Sequence, residues 1–331
     1  MGDATRPTIA FLLGDPAGVG PEIAAKLLAD PANRAAADLL VLASADELHE
    51  AARIAGVTIP LSEIPEVGYA RLADDGSGGE VAIPPRRPSA EAGDRVLHQM
   101  RRAMALARSG EVDGVVFAPL NKTSLHLAGM HEEDELRWLA KELGYTGTTS
   151  EINIIEGLWT ARVTSHVAIK DVAPGITTER VAAAIVLLND LLVESGLGGP
   201  RIGVCALNPH NGENGIFGRE EIDAIAPGVA QARSLGIDVR GPYPADTIFL
   251  SRSDFDGIVT MYHDQGQIAV KLLGFDGGVT VQGGLPVIVT TPAHGTAFDI
   301  VGRGVASTRS CQNALSLAIT VAGRRASTRV G

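Results

Sequence analysis

Three histidines stand just beyond apolar stretches of the chain: His166 in Thr164-Ser165-His166-Val167, His210 in Leu207-Asn208-Pro209-His210, and His263 in Tyr262-His263-Asp264-Gln265. Three neutral imidazoles with an open fourth position suit a divalent ion, Zn, Ni or Co before Mg or Mn. Such an ion polarises a substrate hydroxyl or carbonyl as a Lewis acid. Separations of 44 and 53 residues carry no local ligand-spacing signature, so spacing alone favours three unrelated strand-end histidines in ordinary hydrogen bonds. Asp246 and Asp264 offer carboxylates for orienting an imidazole or moving a proton, and lone acids serve as often as caps or turn residues. Lys122 closes a third such strand end, Asp113 to Lys122. The loop from His294 to Gly304, rich in glycine, follows an apolar run near the C-terminus.

These residues need elements to hold them. Apolar runs at 7–13, 38–43, 114–118, 151–156, 202–207, 257–262 and 285–290 predict strands, alternating with helix-length segments, which is the pattern of a largely parallel sheet wrapped by helices. Ser44 with Glu47 forms a capping box before a helix at 45–55, Ser89 caps 90–109, and Thr177 or Thr178 caps 179–195. The segment 65–88, with its Asp-Asp-Gly-Ser-Gly-Gly and Pro-Pro runs, reads as a surface excursion. In open α/β sheets ligands bind beyond the carboxyl ends of strands, where these histidines fall.

Composition narrows the partners. With 331 residues, 45% hydrophobic, the chain suits two domains, and a net charge of -11 argues against a nucleic-acid backbone as ligand. A small molecule is expected instead. Two cysteines, Cys205 and Cys311, make no disulfide framework, no apolar run spans a bilayer, and the first residues lack a signal-peptide pattern, so a cytoplasmic location is expected. The early Gly14-Asp15-Pro16-Ala17-Gly18-Val19-Gly20 turn looks like a phosphate loop. It lacks the third glycine of a dinucleotide fingerprint and the Lys-Ser/Thr of a P-loop. Asp15 is the residue of that turn expected to face solvent or substrate.

Several motifs carry a resemblance. The stretch His294-Gly295-Thr296-Ala297-Phe298-Asp299-Ile300 is similar to the adenosine-binding loop of the isopropylmalate and isocitrate dehydrogenase superfamily. There His294, Gly295, Thr296, Asp299 and Ile300 would bind the cofactor, and Asp299 would favour NAD over NADP by repelling a 2′-phosphate. The turn at 14–22, Leu207-Asn208-Pro209-His210, Gly218-Arg219-Glu220-Glu221, Gly241-Pro242-Tyr243-Pro244-Ala245-Asp246-Thr247 and Tyr262-His263-Asp264-Gln265-Gly266 together resemble the 4-hydroxythreonine-4-phosphate dehydrogenase family of vitamin B6 synthesis. The resemblance implies an isopropylmalate dehydrogenase-like fold: two α/β/α domains around a largely parallel sheet, with the active-site cleft between them. The first would hold 1–129 with about 290–331, the second 130–289. It also implies a homodimer whose subunits share the ligands His166, His210 and His263. The implied reaction is oxidation of a hydroxyl β to a carboxylate by NAD, with decarboxylation, using Lys122, Asp246 or Asp264 as proton-transfer groups.

The substrate positions depart from that family. Counting from His263, a Lys, an Asn and an Arg that hold phosphate in the family correspond to Lys271, Thr280 and Val289, so the Arg is lost. In His131-Glu132-Glu133-Asp134-Glu135-Leu136-Arg137, Glu135 and Leu136 fall where the family has a substrate-contacting His-Thr pair. Glu135 would repel an anion unless paired, for instance with Arg137. The expected substrate is therefore a different hydroxy acid, a four-carbon acid sugar or a carboxylated cyclohexadiene diol. The vitamin B6 substrate is the alternative, and a metal-dependent hydrolase or acyltransferase the more distant one.

Overall fold

The computed structural model describes residues 6–76, 82–274 and 276–330. Among them the strands are β1 (Thr8–Leu12), β2 (Asp38–Leu42), β3 (Ala70–Leu72), β4 (Gly114–Phe117), β5 (Ser150–Ile155), β6 (Leu158–Arg162), β7 (Arg201–Cys205), β8 (Asp238–Tyr243), β9 (Gly257–Thr260), β10 (Val279–Gly283) and β11 (Ile288–Pro292). The chain divides into two units, Met1–Thr146 with Leu285–Gly331, and Gly147–Gly284. In the first unit β3-β2-β1-β4-β11 pair in parallel throughout. In the second the order is β10-β5-β6-β9-β7-β8, parallel from β6 to β8 and antiparallel at β10/β5 and β5/β6. Among the described residues no helix is long and apolar enough to cross a membrane.

The α/β reading holds, and each expected strand is present. The helices Ala45–Ala55 and Ala90–Ser109 start on the expected caps: Ser44 and Glu47 complete the capping box, and Ser89 accepts from the Ala92 amide. Thr177, not Thr178, caps the helix Thr178–Glu194. β3, β6, β8 and β10 were not expected. The segment 65–88 is more than a surface excursion, because β3 lies in it with Ala70 fully buried against β2; its residues 77–81 lie outside the described ones.

The units meet at 146/147 and 284/285 rather than at 129/130 and 289/290. The reason is packing. Leu136, Trp138 and Leu139 of the helix Glu135–Leu143, and Leu285 and Val287 before β11, all enter the first unit's core beside Val96, Met100 and Phe117.

That core positions Lys122. The helix Lys122–Leu127 is capped by Asn121, whose side chain accepts from the Ser124 amide at 3.0 Å. It crosses the helix Ala90–Ser109 so closely that a Cβ on Gly93 would stand 1.9 Å from the Ser124 carbonyl oxygen. The Ser124 hydroxyl donates to Asp15 at 3.0 Å, and the Ala17 amide donates to the same carboxylate at 2.8 Å. Asp15 is fully buried, so it faces neither solvent nor substrate: it locks the turn after β1 onto the helix that begins with Lys122. Burial raises its pKa above the ordinary 3.8, outweighing the two bonds that favour the anion.

Two outcomes follow for stability. Gly93→Ala should cost about 3 kcal/mol, the upper range for overpacking against backbone, read as a lower urea midpoint with an unchanged slope. The folded state holds the Asp15 proton to higher pH than the unfolded chain does. Its ionisation therefore subtracts stability as pH rises from 3.8 through the raised value, with no penalty below 3.8. Asp15→Asn, which keeps an acceptor for Ala17, should gain stability relative to wild type as pH rises from 3.8 through the raised value in urea titrations. A difference independent of pH would contradict this account.

Candidate active site

The second unit gathers the candidate ligands by topology. β6, β9, β7 and β8 are neighbours in parallel, and just beyond their carboxyl ends come His166, His263, His210 and Asp246 in that order. The first two are brought together: their ring centroids lie 5.5 Å apart. Register explains it. Arg162, last in β6, pairs with Thr260, last in β9, and the strands stay tied beyond their ends because the Val163 amide donates to Thr260 and the Thr164 amide and hydroxyl both donate to the Met261 carbonyl.

His263 opens the helix His263–Leu273, and its Nδ1 meets the Asp264 carboxylate at 2.7 Å. A carboxylate on Nδ1 fixes the tautomer and leaves Nε2 as the metal-binding nitrogen. The two histidines, with Ser165, Val167, Ile169, Val172, Tyr262 and Asp264, wall a hollow of about 260 Å³. Imidazoles this close, one already oriented by an acid, fit two ligands of a divalent ion.

His210 stands apart from the pair. It begins a left-handed turn in which His210, Asn211, Gly212, Glu213 and Asn214 all have positive φ, and its exposed ring lies 6.4 Å from that of Phe217. The turn is moored by buried Glu221, whose carboxylate accepts from the Leu207 and Asn208 amides at 2.9 and 2.7 Å and from the Asn208 side chain. Among the described residues no three histidine, cysteine or acidic side chains converge on one metal position. Asp246 is exposed on the short helix Ala245–Ile248, and Lys271 is exposed near the end of the helix His263–Leu273. Thr280, on β10, accepts from the Asn153 side chain at 3.0 Å.

The first unit holds the other candidates. Lys122 is half exposed, with Nζ 3.6 Å from Glu135 Oε2. Glu135 is thus buried beside Lys122, whereas Arg137 is exposed on the same helix. Leu136 is 2% exposed and Val289 fully buried. Both are core residues and neither can touch a substrate, which corrects their assignment to substrate binding. Val289 sits inside β11, opposite Val115 of β4.

The loop at 294–304 is built onto the turn after β1. The Val19 amide donates to the Thr296 carbonyl at 3.0 Å, and a Cβ on Gly18 would stand 2.7 Å from Thr296 Cβ. Lys26 donates to the carbonyls of Gly304 and Ala306 at 3.0 and 2.9 Å, while Glu22 accepts from Lys26 and from the Ala306 amide. Arg86 adds a bond to the Val301 carbonyl. Thr296 is consequently buried, while Gly295 and Asp299 are exposed, and His294 and Ile300 half-buried. A Cβ on Gly295 would meet nothing within 4 Å. An exposed carboxylate beside open backbone fits a ribose. The glycines of the first turn serve close packing under this loop. The sequence signal for that arrangement was Glu22 and Lys26 at i, i+4 in a first helix otherwise mostly apolar.

Comparison with known proteins places the chain. Residues 35–318 match the family model described as pyridoxal phosphate biosynthetic protein PdxA. A Pseudomonas aeruginosa protein provisionally named 4-hydroxythreonine-4-phosphate dehydrogenase 2 is 49% identical, over 98% of this chain and 100% of that one. The D-threonate 4-phosphate dehydrogenase of Cupriavidus necator is 40% identical over 97% and 98%. The crystal structure of a terephthalate 1,2-cis-dihydrodiol dehydrogenase from Burkholderia xenovorans is 30% identical over 95% and 98%, with a TM-score of 0.72. With a family model covering most of the chain and dehydrogenases as end-to-end relatives, the protein belongs to the pyridoxal phosphate biosynthetic protein PdxA family.

Proposed function

We propose that this protein is an NAD- and divalent-metal-dependent dehydrogenase. It would oxidise the hydroxyl β to the carboxylate of a phosphorylated four-carbon hydroxy acid, with loss of CO2. The observation that carries the reading is the His166–His263 pair at 5.5 Å, with Asp264 on His263 Nδ1. The end-to-end relatives named for 4-hydroxythreonine 4-phosphate and D-threonate 4-phosphate support the substrate class. His166 and His263 would hold the divalent ion, which would supply Lewis acidity, and the 294–304 loop would hold NAD as the hydride acceptor.

The chain's own residues would do the rest. Asp264 is committed to orienting His263, so Asp246 is the carboxylate left to take the hydroxyl proton. Lys122, held by Glu135, is the ammonium that returns a proton to the carbon freed of CO2. Asp299 would bond the ribose hydroxyls and turn away a 2′-phosphate.

We further infer a cytoplasmic homodimer in which His210 of one subunit completes the ligand set of the other. Support comes from the exposed apolar residues around these positions, Val167, Ile169, Ile216, Phe217, Ile268 and Leu272, of which Ile216 and Leu272 are 76% and 83% exposed. A second substrate reading, an unphosphorylated carboxylated diol, is favoured by one observation: counting from His263, Val289 stands where the resemblance expects the phosphate-binding Arg. The terephthalate diol dehydrogenase among the relatives fits that reading.

Two measurements test the proposal. Asp264→Asn should weaken zinc binding about 10- to 100-fold in a competition titration, because the amide no longer fixes an anionic partner on Nδ1. NADH formation should be fastest with D-threonate 4-phosphate or 4-phosphooxy-threonine, should stop on chelation, and should be at least about tenfold poorer with NADP. Turnover of the cis-diol of terephthalate alone would select the second reading. No turnover of any of these acids, with metal and NAD bound, would overturn the first.

A further inference from the structure

The helix His263–Leu273 packs Val270 against Ile155, Leu158 and Ile258, but the rest of the sheet face it covers is polar where a covering helix ordinarily meets apolar residues. Across β10, β5 and β6, one row in register is Thr280, Asn153 and Thr160; Gln282, Glu151 and Arg162 lie two residues along. His263, Gln267 and Lys271 follow one another at intervals of four along the helix, so they lie near one stripe.

Within that layer runs a chain of side-chain hydrogen bonds. Gln267 Nε2 donates to Asn153 Oδ1, and Asn153 Nδ2 donates to Thr280 Oγ1 at 3.0 Å. Asn153 is buried; Gln267 and Thr280 are half-buried. Thr280 spends a lone pair on Asn153, which sets the rotation of its hydroxyl and leaves its proton to give. In the next row Arg162 pairs with Glu151, yet Arg162 Nε and Gln282 Oε1 are buried without a partner. The face thus carries more hydrogen-bonding capacity than the protein itself uses, an arrangement that costs stability unless something else draws on it.

We propose that Asn153 and Gln267 are positioning residues for substrate recognition. They aim the Thr280 hydroxyl at an anionic oxygen of the hydroxy acid, at the end away from the reacting hydroxyl, and Lys271 supplies the opposing charge. The oxygen belongs to a phosphate or to a carboxylate. The inference deepens the dehydrogenase reading and rests on it for the substrate class. Specificity then lies in a relay behind the contact residue as well as in that residue.

The test is calorimetric binding of D-threonate 4-phosphate and of D-threonate to the intact metal-loaded protein without NAD, alongside steady-state kinetics. Thr280→Val, close in shape to the native residue, and Asn153→Leu should each weaken binding about tenfold, raising KM and leaving kcat within about twofold. Thr280→Ser should restore it. The double variant Asn153→Leu/Thr280→Val should be no weaker than Thr280→Val alone, since Asn153 acts through the hydroxyl. If Asn153→Leu melts early, Gln267→Leu on the half-buried helix face takes its place with the same expectation in direction. Loss confined to the phosphorylated acid identifies the phosphate as partner, and loss with both acids identifies the carboxylate. Wild-type affinity in Thr280→Val, additive losses in the double variant, or no binding of either acid by the wild type overturns the proposal. A wild type that turns over acid beside unaffected variants defeats this inference and spares the dehydrogenase reading; one that binds acid without turnover does the reverse.

Discussion

Parallel pairing of β6 with β9 is the constraint on which the second unit's chemistry depends. The two strands are nearly a hundred residues apart in sequence, and both histidines lie just past their ends. Because Arg162 and Thr260 stand in register and the backbone bonds continue through Val163 and Thr164, the loops leave the sheet at the same level. A shift by one residue would carry one imidazole about 3.3 Å along the strand and turn the following side chains to the other face. Hydrogen bonds of the ladder therefore set the spacing of the two imidazoles, and Asp264 refines the angle of one ring.

The first unit uses a different device. Its candidate cofactor loop is not held by a strand ladder but by a half-buried ion pair, with the Val19 amide and Arg86 adding bonds to Thr296 and Val301. Glu22 and Lys26 together hold the amide of Ala306 and the carbonyls of Gly304 and Ala306. Such a pair is worth more than a surface salt bridge because Glu22 Oε1 and the Lys26 protons also meet backbone groups that would otherwise be buried without partners, although Glu22 Oε2 itself has none. The glycine-rich turn after β1 thus lies under the loop as a foundation, separated from it by nearly 280 residues of sequence.

Much of this was legible in the sequence. The runs 7–13 and 257–262 read as buried strands, and Ser44 with Glu47 as a helix start, since both signals act within a few residues. The hairpin joining β5 and β6 was missed although Glu156-Gly157 is a two-residue turn with Gly157 at positive φ; the expected strand at 151–156 covers only its first arm. At the site, the identity of the histidines was readable but not their pairing, which depends on strand order. Asp15, Leu136 and Val289 show the opposite limit. Each was placed from neighbours in sequence, and burial is decided by neighbours in space. Glu135 was read as needing a cation, and Lys122, from the preceding helix, stands beside it.

The turn at His210 also limits how this surface can evolve. Five successive residues in left-handed conformation are tolerable because two are asparagine and one is glycine, the residue types that lose least there. A β-branched side chain at 211, 212 or 214 would meet both the torsional cost and, at Gly212, the Glu221 carboxylate 2.6 Å from its Cβ. The backbone of the segment therefore restricts which side chains it accepts, independently of any ligand. Sequence drift through Pro209–Gly215 should be confined to a few small polar residues even in a descendant that has lost the use of the histidine.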